Sequence, residues 1–180
     1  MNPKQFSAVL EAARAGGEWA WSQLYGDLAG QVLGYLRVRG ATEPEDLLGE
    51  VFLQVARNLS SFSGDDVGFR SWVFTIAHRR LIDERRTGSR RPVEFMTEHE
   101  SGESRDPAMI VGDRLSEERI AGTLQCLVPD QRDVLLLRII GGITVEEIAA
   151  ILGKSIGAVK ALQRRALQTL KRNMREAVPI

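Results

Sequence analysis

The chain has 180 residues, with 24 Lys and Arg balanced by 24 Asp and Glu, 43% hydrophobic residues and one cysteine, Cys126. This length accommodates one medium domain or two small ones, with the composition of an ordinary globular protein. It contains no apolar run long enough to span a bilayer and no possible intrachain disulfide, and a lone cysteine argues against a cysteine-based zinc site.

The opening residues, MNPKQFSAVLEAARAGGEWAW, show no basic stretch followed by an apolar one, so no secretory signal is read and a cytoplasmic setting is expected. Residues 4–14 read as a short helix. Residues 17–39 read as a longer one, with Trp21, Leu24, Leu28, Val32 and Leu36 on one stripe. Trp19 and Trp21 are expected to pack. TEPEDLLGEVFLQVARNL, 42–59, begins as a helix should. Thr42 can cap, Pro44 suits the first turn and Glu45 stands three residues after Thr42, while Leu47, Leu48, Val51, Phe52, Val55 and Leu59 form an apolar face. SSFSGDDVG, 60–68, is a turn-rich loop in which Asp65 and Asp66 shape the turn rather than bind metal.

GFRSWVFTIAHRRLIDERR, 68–86, predicts a helix with two characters. Phe69, Trp72, Val73, Ile76 and Ala77 make an apolar stripe, and Trp72 is read as a packing residue. Thr75, His78, Arg79, Ile82 and Arg86 fall on roughly the opposite side. Arg80 lies near the apolar stripe and is expected to snorkel or to pair with Asp83 or Glu84. RRPVEFMTEHESGESRDPAMIV, 90–111, is polar, acidic and proline-bearing, which marks a linker.

Beyond the linker, Leu115–Leu127 reads as helical, with Cys126 as a small buried apolar residue, and Pro129 starts another helix. In GGITVEEIAAILGKSIGAVKALQRRALQTLKRNM, 141–174, Thr144 and Glu147 form a capping box. Val145, Ile148, Ala149 and Leu152 make a buried face, and Gly153 ends the helix. Ser155 can cap a second helix with Val159, Leu162, Ala166 and Leu170 on one side and Lys160, Gln163, Arg164, Arg165 and Lys171 off it. Two helices joined by a short glycine-containing turn, the second one basic, form the helix-turn-helix pattern, whose second helix fits the DNA major groove.

The zero net charge conceals a segregated distribution. Arg70–Arg91 holds seven Lys or Arg against two acids, and Lys154–Arg175 holds seven and no acid. A solvated helix mixes signs for i, i+4 pairing, so an acid-free basic helix points to an anionic partner. The expected fold is all-α, with two small helical domains, 1–90 and 115–180, joined by a flexible acidic linker at 91–114.

Both halves resemble one family. EDLLGEVFLQVARNLSSF with FRSWVFTIAHRRLIDERR resembles region 2 of bacterial RNA polymerase sigma factors of the small extracytoplasmic-function type. LVPDQRDVLLLRIIGGITVEEIAAILGKSIGAVKALQRRALQTLKR resembles their region 4. The resemblance implies a subunit that binds core RNA polymerase and directs promoter-specific initiation, with no catalytic activity and no cofactor. By position, Arg70, Thr75, His78, Arg79, Arg85 and Arg86 would face the −10 element and help hold the opened strand. Ser155, Ala158, Lys160, Ala161, Gln163, Arg164 and Arg165 would face the −35 element. Asp46, Leu47, Glu50 and Gln54 would dock on the β′ coiled coil, with region 4 meeting the β flap, and an anti-sigma factor is implied as a further partner. The sequence departs from the family pattern at Arg79, where Asn is common, at Gly49, where Gln is common, and at Ala161, Leu162 and Gln163, so base preference does not carry over.

The alternative from the residues themselves is a stand-alone helix-turn-helix regulator. It accounts for the C-terminal half but leaves the 68–86 helix unexplained. An enzyme has little to work with: two histidines, one cysteine and no phosphate-cradling glycine loop.

Overall fold

A computed structural model describes residues 3–88 and 122–176. These residues are helical with no strand among them. The helices are α1 (Pro3–Arg14), α2 (Glu18–Val38), α3 (Pro44–Asn58), α4 (Asp66–Gly88), α5 (Pro129–Ile139), α6 (Val145–Leu152) and α7 (Ile156–Glu176), with a single 3₁₀ turn at Leu59–Ser61. The 91–114 linker, with its expected flexibility, and residues 115–121 of the helix expected at 115–127 lie outside the described residues; of the remainder, 122–124 are helical.

The N-terminal four helices pack in sequence, α1 on α2, α2 on α3 and α3 on α4. The predicted stripes meet in the middle. Leu24, Leu28, Val32 and Leu36 of α2, Val51 and Val55 of α3, and Phe69, Val73 and Ala77 of α4 are all buried. Burial of each of these Leu, Val and Phe side chains contributes about 1.5–3 kcal/mol. Phe6, Phe62, Phe69 and Trp72 form an aromatic cluster at one end, with Phe62 stacked on Trp72 at 5.1 Å between centroids. Arg14 donates to the carbonyls of Leu59 and Phe62 and so ties the loop after α3 back to α1.

Several local expectations are corrected. Thr42 does not cap α3. The cap position is Glu43, which makes no side-chain capping bond, and the Thr42 amide instead donates to Glu84 on α4. Glu45 serves no capping box; it pairs with Arg37 at 2.6 Å. The 60–68 loop is shorter than expected, because Asp65 caps α4 by accepting from the Gly68 amide at 2.8 Å, and the helix starts at Asp66. Trp19 is 60% exposed, and Cys126 is exposed rather than buried.

In the C-terminal part the local reading holds. Thr144 accepts from the Glu147 amide while the Glu147 carboxylate accepts from the Thr144 amide, which closes the capping box. Gly153 takes the left-handed conformation that ends α6, and Ser155 Oγ accepts from the Ala158 amide at the start of α7. α5 packs on α7 and α6 on α7 around Val134, Leu137, Ile148, Val159 and Ala166.

The two parts also touch. α6 lies against α4. Gly141, in the turn before α6, sits so close to α4 that a Cβ there would fall 3.3 Å from Phe74 Cε1, and it would also fall 2.7 Å from the Leu137 carbonyl of α5. Phe74 and Leu81, absent from the predicted stripe of α4, are fully buried, Phe74 on this flank.

Candidate nucleic-acid interface

α7 presents its polar face outward. Ser155, Ala158, Lys160, Arg164 and Arg165 are exposed, and Ala161 and Gln163 are half-buried beside them, while Val159 and Ala166 hold the opposite side in the core. Ala158, Ala161 and Arg165 share one flank at i, i+3 and i+7, with Lys160 and Arg164 on the next, and at the N-terminus of the helix free amides and the positive end of the helix dipole favour a phosphate. The small Ala158 and Ala161 allow close approach of the helix to base edges, and the arginines supply planar donors suited to phosphate or guanine. Lys154, just ahead, pairs with Asp130 at 2.8 Å and so tethers the turn to α5.

α4 is more divided. Arg79 is exposed on the side opposite the core, next to exposed Ile82. Thr75 is half-buried, with its hydroxyl donating to the Ser71 carbonyl one turn back. Arg70 donates to Gln31 on α2.

His78 is half-buried, and Arg85, though exposed, is engaged within the fold. His78 Nδ1 lies 2.9 Å from the hydroxyl of buried Tyr35, and Arg85 donates to the Arg39 carbonyl. Burial, with the Arg39 and Arg85 charges behind it, lowers the His78 pKa from 6.5 to about 4. This favours the uncharged imidazole at neutral pH, which faces the Tyr35 hydroxyl within the fold. Arg80 pairs with Glu50 at 3.4 Å and donates to Gln54 Oε1 at 3.0 Å on α3, instead of meeting Asp83 or Glu84.

The acidic residues of α3 converge with α4 on a groove of about 430 Å³, lined by Thr42, Glu43, Asp46, Leu47, Glu50, Arg80, Asp83, Glu84 and Thr87. Asp46 and Glu50 are exposed on its rim, and Gln54 is half-buried behind Arg80. Leu47 is a core residue with one edge on the groove. Gly49 is exposed, and a side chain there would meet open space. Acids gathered on this groove repel DNA and suit a basic protein surface.

One pair escaped the sequence reading. Arg39, in the turn after α2, and Asp133, on α5, are both buried and face each other, with Nη2 to Oδ2 at 3.1 Å and Nε to Oδ1 at 2.5 Å. The Nε–Oδ1 approach is off the N–H axis, so those two atoms meet as charges and have no other hydrogen-bond partner. Burial raises the Asp133 pKa from 3.8 to about 6, against the opposing pull of Arg39 and Arg85. A signal existed in the sequence. Arg39 continues the Val32–Leu36 stripe of α2, and Asp133 continues the apolar stripe through Leu137 on α5. Opposite charges thus sat on two buried faces.

Residues 23–91 match the family described as Sigma-70 region 2, and residues 123–172 match Sigma-70, region 4. The chain is 34% identical over 173 residues to the ECF RNA polymerase sigma factor BldN of Streptomyces coelicolor, covering 91% of this chain and 64% of that protein. It is 29% identical over 180 residues to the ECF RNA polymerase sigma factor SigD of Mycobacterium tuberculosis, covering 95% of this chain and 84% of that one. Among solved structures, CnrH in complex with the cytosolic domain of CnrY matches with a TM-score of 0.69 at 24% identity, covering 96% of this chain and 99% of that one. The sigma factor RpoE in complex with the anti-sigma factor NepR from Bartonella quintana matches at 0.64 and 20% identity, covering 86% and 96%. These structural likenesses speak to the all-helical fold. With region 2 followed by region 4, and with relatives of one type across more than nine-tenths of its length, the chain belongs to the sigma-70 family, as a factor of the extracytoplasmic-function type.

Proposed function

We propose that the protein binds core RNA polymerase and directs promoter-specific transcription initiation, recognising −35 and −10 elements with separate domains and assisting promoter melting. The observation that carries this reading is the ordered pair of sigma-70 regions, the second of which ends in a helix with an exposed basic face and no acid between residues 154 and 175. The domains are 1–90, for polymerase docking and the −10 element, and 115–180, for the −35 element, with 91–114 as the connection. Neither surface needs to bind tightly alone, because polymerase holding both at the right spacing raises their effective concentration.

In this reading Ser155, Ala158, Lys160, Ala161, Gln163, Arg164 and Arg165 meet the −35 element. Arg79 and Arg86 lead the −10 contacts, with Thr75 and Arg70 at the edge of that face. Asp46 and Glu50 on the α3–α4 groove take the β′ coiled coil, with Gln54 and Leu47 supporting the groove wall, and region 4 meets the β flap. The setting is the cytoplasm, and among the described residues no helix is long and apolar enough to cross a membrane. The solved CnrH and RpoE structures each hold a further protein, and an anti-sigma factor is the corresponding partner here.

Run-off transcription on genomic fragments with purified core polymerase tests the proposal. New discrete start sites that require the protein are expected, and their upstream sequences will give both elements. Absence of initiation and of co-migration with core, alongside tight binding of the free protein to duplex DNA, would overturn it in favour of a stand-alone regulator.

A further inference from the structure

The sequence keeps every acid out of residues 154–175, and the fold brings one back. Asp130, in the first turn of α5, places its Oδ2 2.8 Å from Lys154 Nζ, at the front of the basic block. Lys160, Arg164, Arg165, Lys171 and Arg172 follow along α7. All are exposed, and none of them forms an ion pair among the described residues. The first cation of the block is therefore held while those behind it are open. The held one stands directly before Ser155, where the proposed −35 face begins.

The turn does not need this pair for its shape. The Lys154 amide donates to the Ala149 carbonyl at 2.9 Å, Gly153 stands in the left-handed conformation, and Ser155 Oγ caps α7. The capping box at Thr144 and the packing of α5 and α6 on α7 fix the helices on either side. Asp130 has a favourable place of its own, because an acid in the first turn of a helix meets the positive end of the dipole. With side-chain exposures of 29% for Lys154 and 54% for Asp130, the pair lies within reach of water and adds little to stability. Its consequence is electrostatic. A carboxylate 2.8 Å from an ammonium cancels most of the charge that the ammonium offers to a third group. Lysine is a point charge on a flexible four-carbon stem, so the same side chain, once let go, can turn to a phosphate with no change in the backbone.

We propose that Asp130 is a restraint on the −35 interface: it withholds Lys154 from the DNA backbone, so that α7 engages phosphates with fewer cations than its sequence provides. This rests on the proposed function for the identity of the DNA, but the pair acts on duplex of any sequence, because a phosphate contact reads no bases. Asp130 is a positioning residue that acts through Lys154. It sets the strength and the salt dependence of binding rather than the base preference.

The test uses the full chain and a short fluorescent duplex of random sequence, with anisotropy titrations repeated over a range of NaCl. The slope of log affinity against log salt counts the phosphates neutralised. Asp130→Asn is expected to steepen it by about 0.9, so that a roughly fourfold rise in salt costs this variant about 3.5-fold more affinity than it costs the parent. Lys154→Gln is expected to keep the parent's slope, and Asp130→Asn combined with Lys154→Gln to return to it. A pair that served only to hold the turn would give the opposite sign, since its loss would loosen the interface and weaken binding. Urea unfolding confirms that each variant keeps the parent's fold. A slope flatter by about 0.9 in Lys154→Gln would show Lys154 already on a phosphate and overturn the restraint. An unchanged slope in Asp130→Asn, or no duplex binding by it at low salt, would do the same. A double variant as steep as Asp130→Asn alone would show Asp130 acting on DNA directly, and would also overturn it. Run-off transcription with core polymerase on the same variants keeps this result apart from the proposed function. Initiation with no slope change sinks the restraint alone. A slope change with no initiation in any version sinks the promoter role and leaves the restraint as a property of a DNA-binding helix.

Discussion

The two basic helices, α4 and α7, looked alike in sequence and differ in the fold. α7 has a core side and an open side, and its cations face outward beyond Val159 and Ala166. α4 has three kinds of neighbour. Phe69, Val73 and Ala77 enter the N-terminal core, and Phe74 faces the flank where the C-terminal domain packs. His78, Arg80 and Arg85 are spent on contacts within the protein. A cation on a helix is evidence for an outside partner only after the inside partners have been assigned. On that measure α7 offers the broader outward-facing cationic surface, and α4 a narrower one around Arg79.

The largest test of this contrast is Phe74→Ala. If the Phe74 flank is structural, the cavity should cost about 3–5 kcal/mol in urea unfolding, and a cost below about 1 kcal/mol would break the comparison. His78→Ala comes next. It leaves the buried Tyr35 hydroxyl without its partner and should cost about 1–3 kcal/mol, whereas a histidine that only faced DNA would cost almost nothing. Thr144→Ala removes the capping box at the entry to the helix-turn-helix and should lower the stability of the C-terminal domain by about 1 kcal/mol. The smallest stability effect belongs to Arg164→Ala with Arg165→Ala, within about 0.5 kcal/mol. The same pair should reduce the salt dependence of promoter binding by about two units of log–log slope. A large loss of stability with an unchanged salt slope would reverse the roles assigned to the two helices.

The pH profile sharpens the same point. The fold holds His78 near 4 against an ordinary 6.5, so the unfolded chain takes up the proton first and stability falls as pH drops from about 6.5 to 4. Asp133 is raised to about 6 from 3.8, so the folded protein takes up that proton first and stability gains over nearly the same range. The two slopes oppose, and the parent should be nearly flat between pH 4 and 6. Asp133→Asn should uncover the histidine limb, seen as a midpoint in urea that falls with acid. A parent that already falls as steeply would show that Asp133 does not titrate as its burial implies.

Much of the molecule was legible without coordinates because helices report locally. The Leu24–Leu36 stripe, the Thr144–Glu147 box, the Gly153 stop and the Ser155 cap depend on residues within a turn or two of one another, and each formed as read. The basic outer face of α7 was readable for the same reason, since the composition of one helix decides it. Thr42 was misread because its alternative partner, Glu84, lies on another helix. Arg80 was misread because Glu50 and Gln54 offered a better reach than its own helix neighbours.

By itself, then, the sequence determined the helices, their core faces, the helix-turn-helix and membership of a family defined by two ordered regions. Only the tertiary structure decided which charges are free and which are spent. Periodicity says which side of a helix a residue occupies, but not which distant residue will meet it there. Arg39 and Asp133 lie 94 residues apart on different helical units, and nothing local to either could announce that they would be buried against each other.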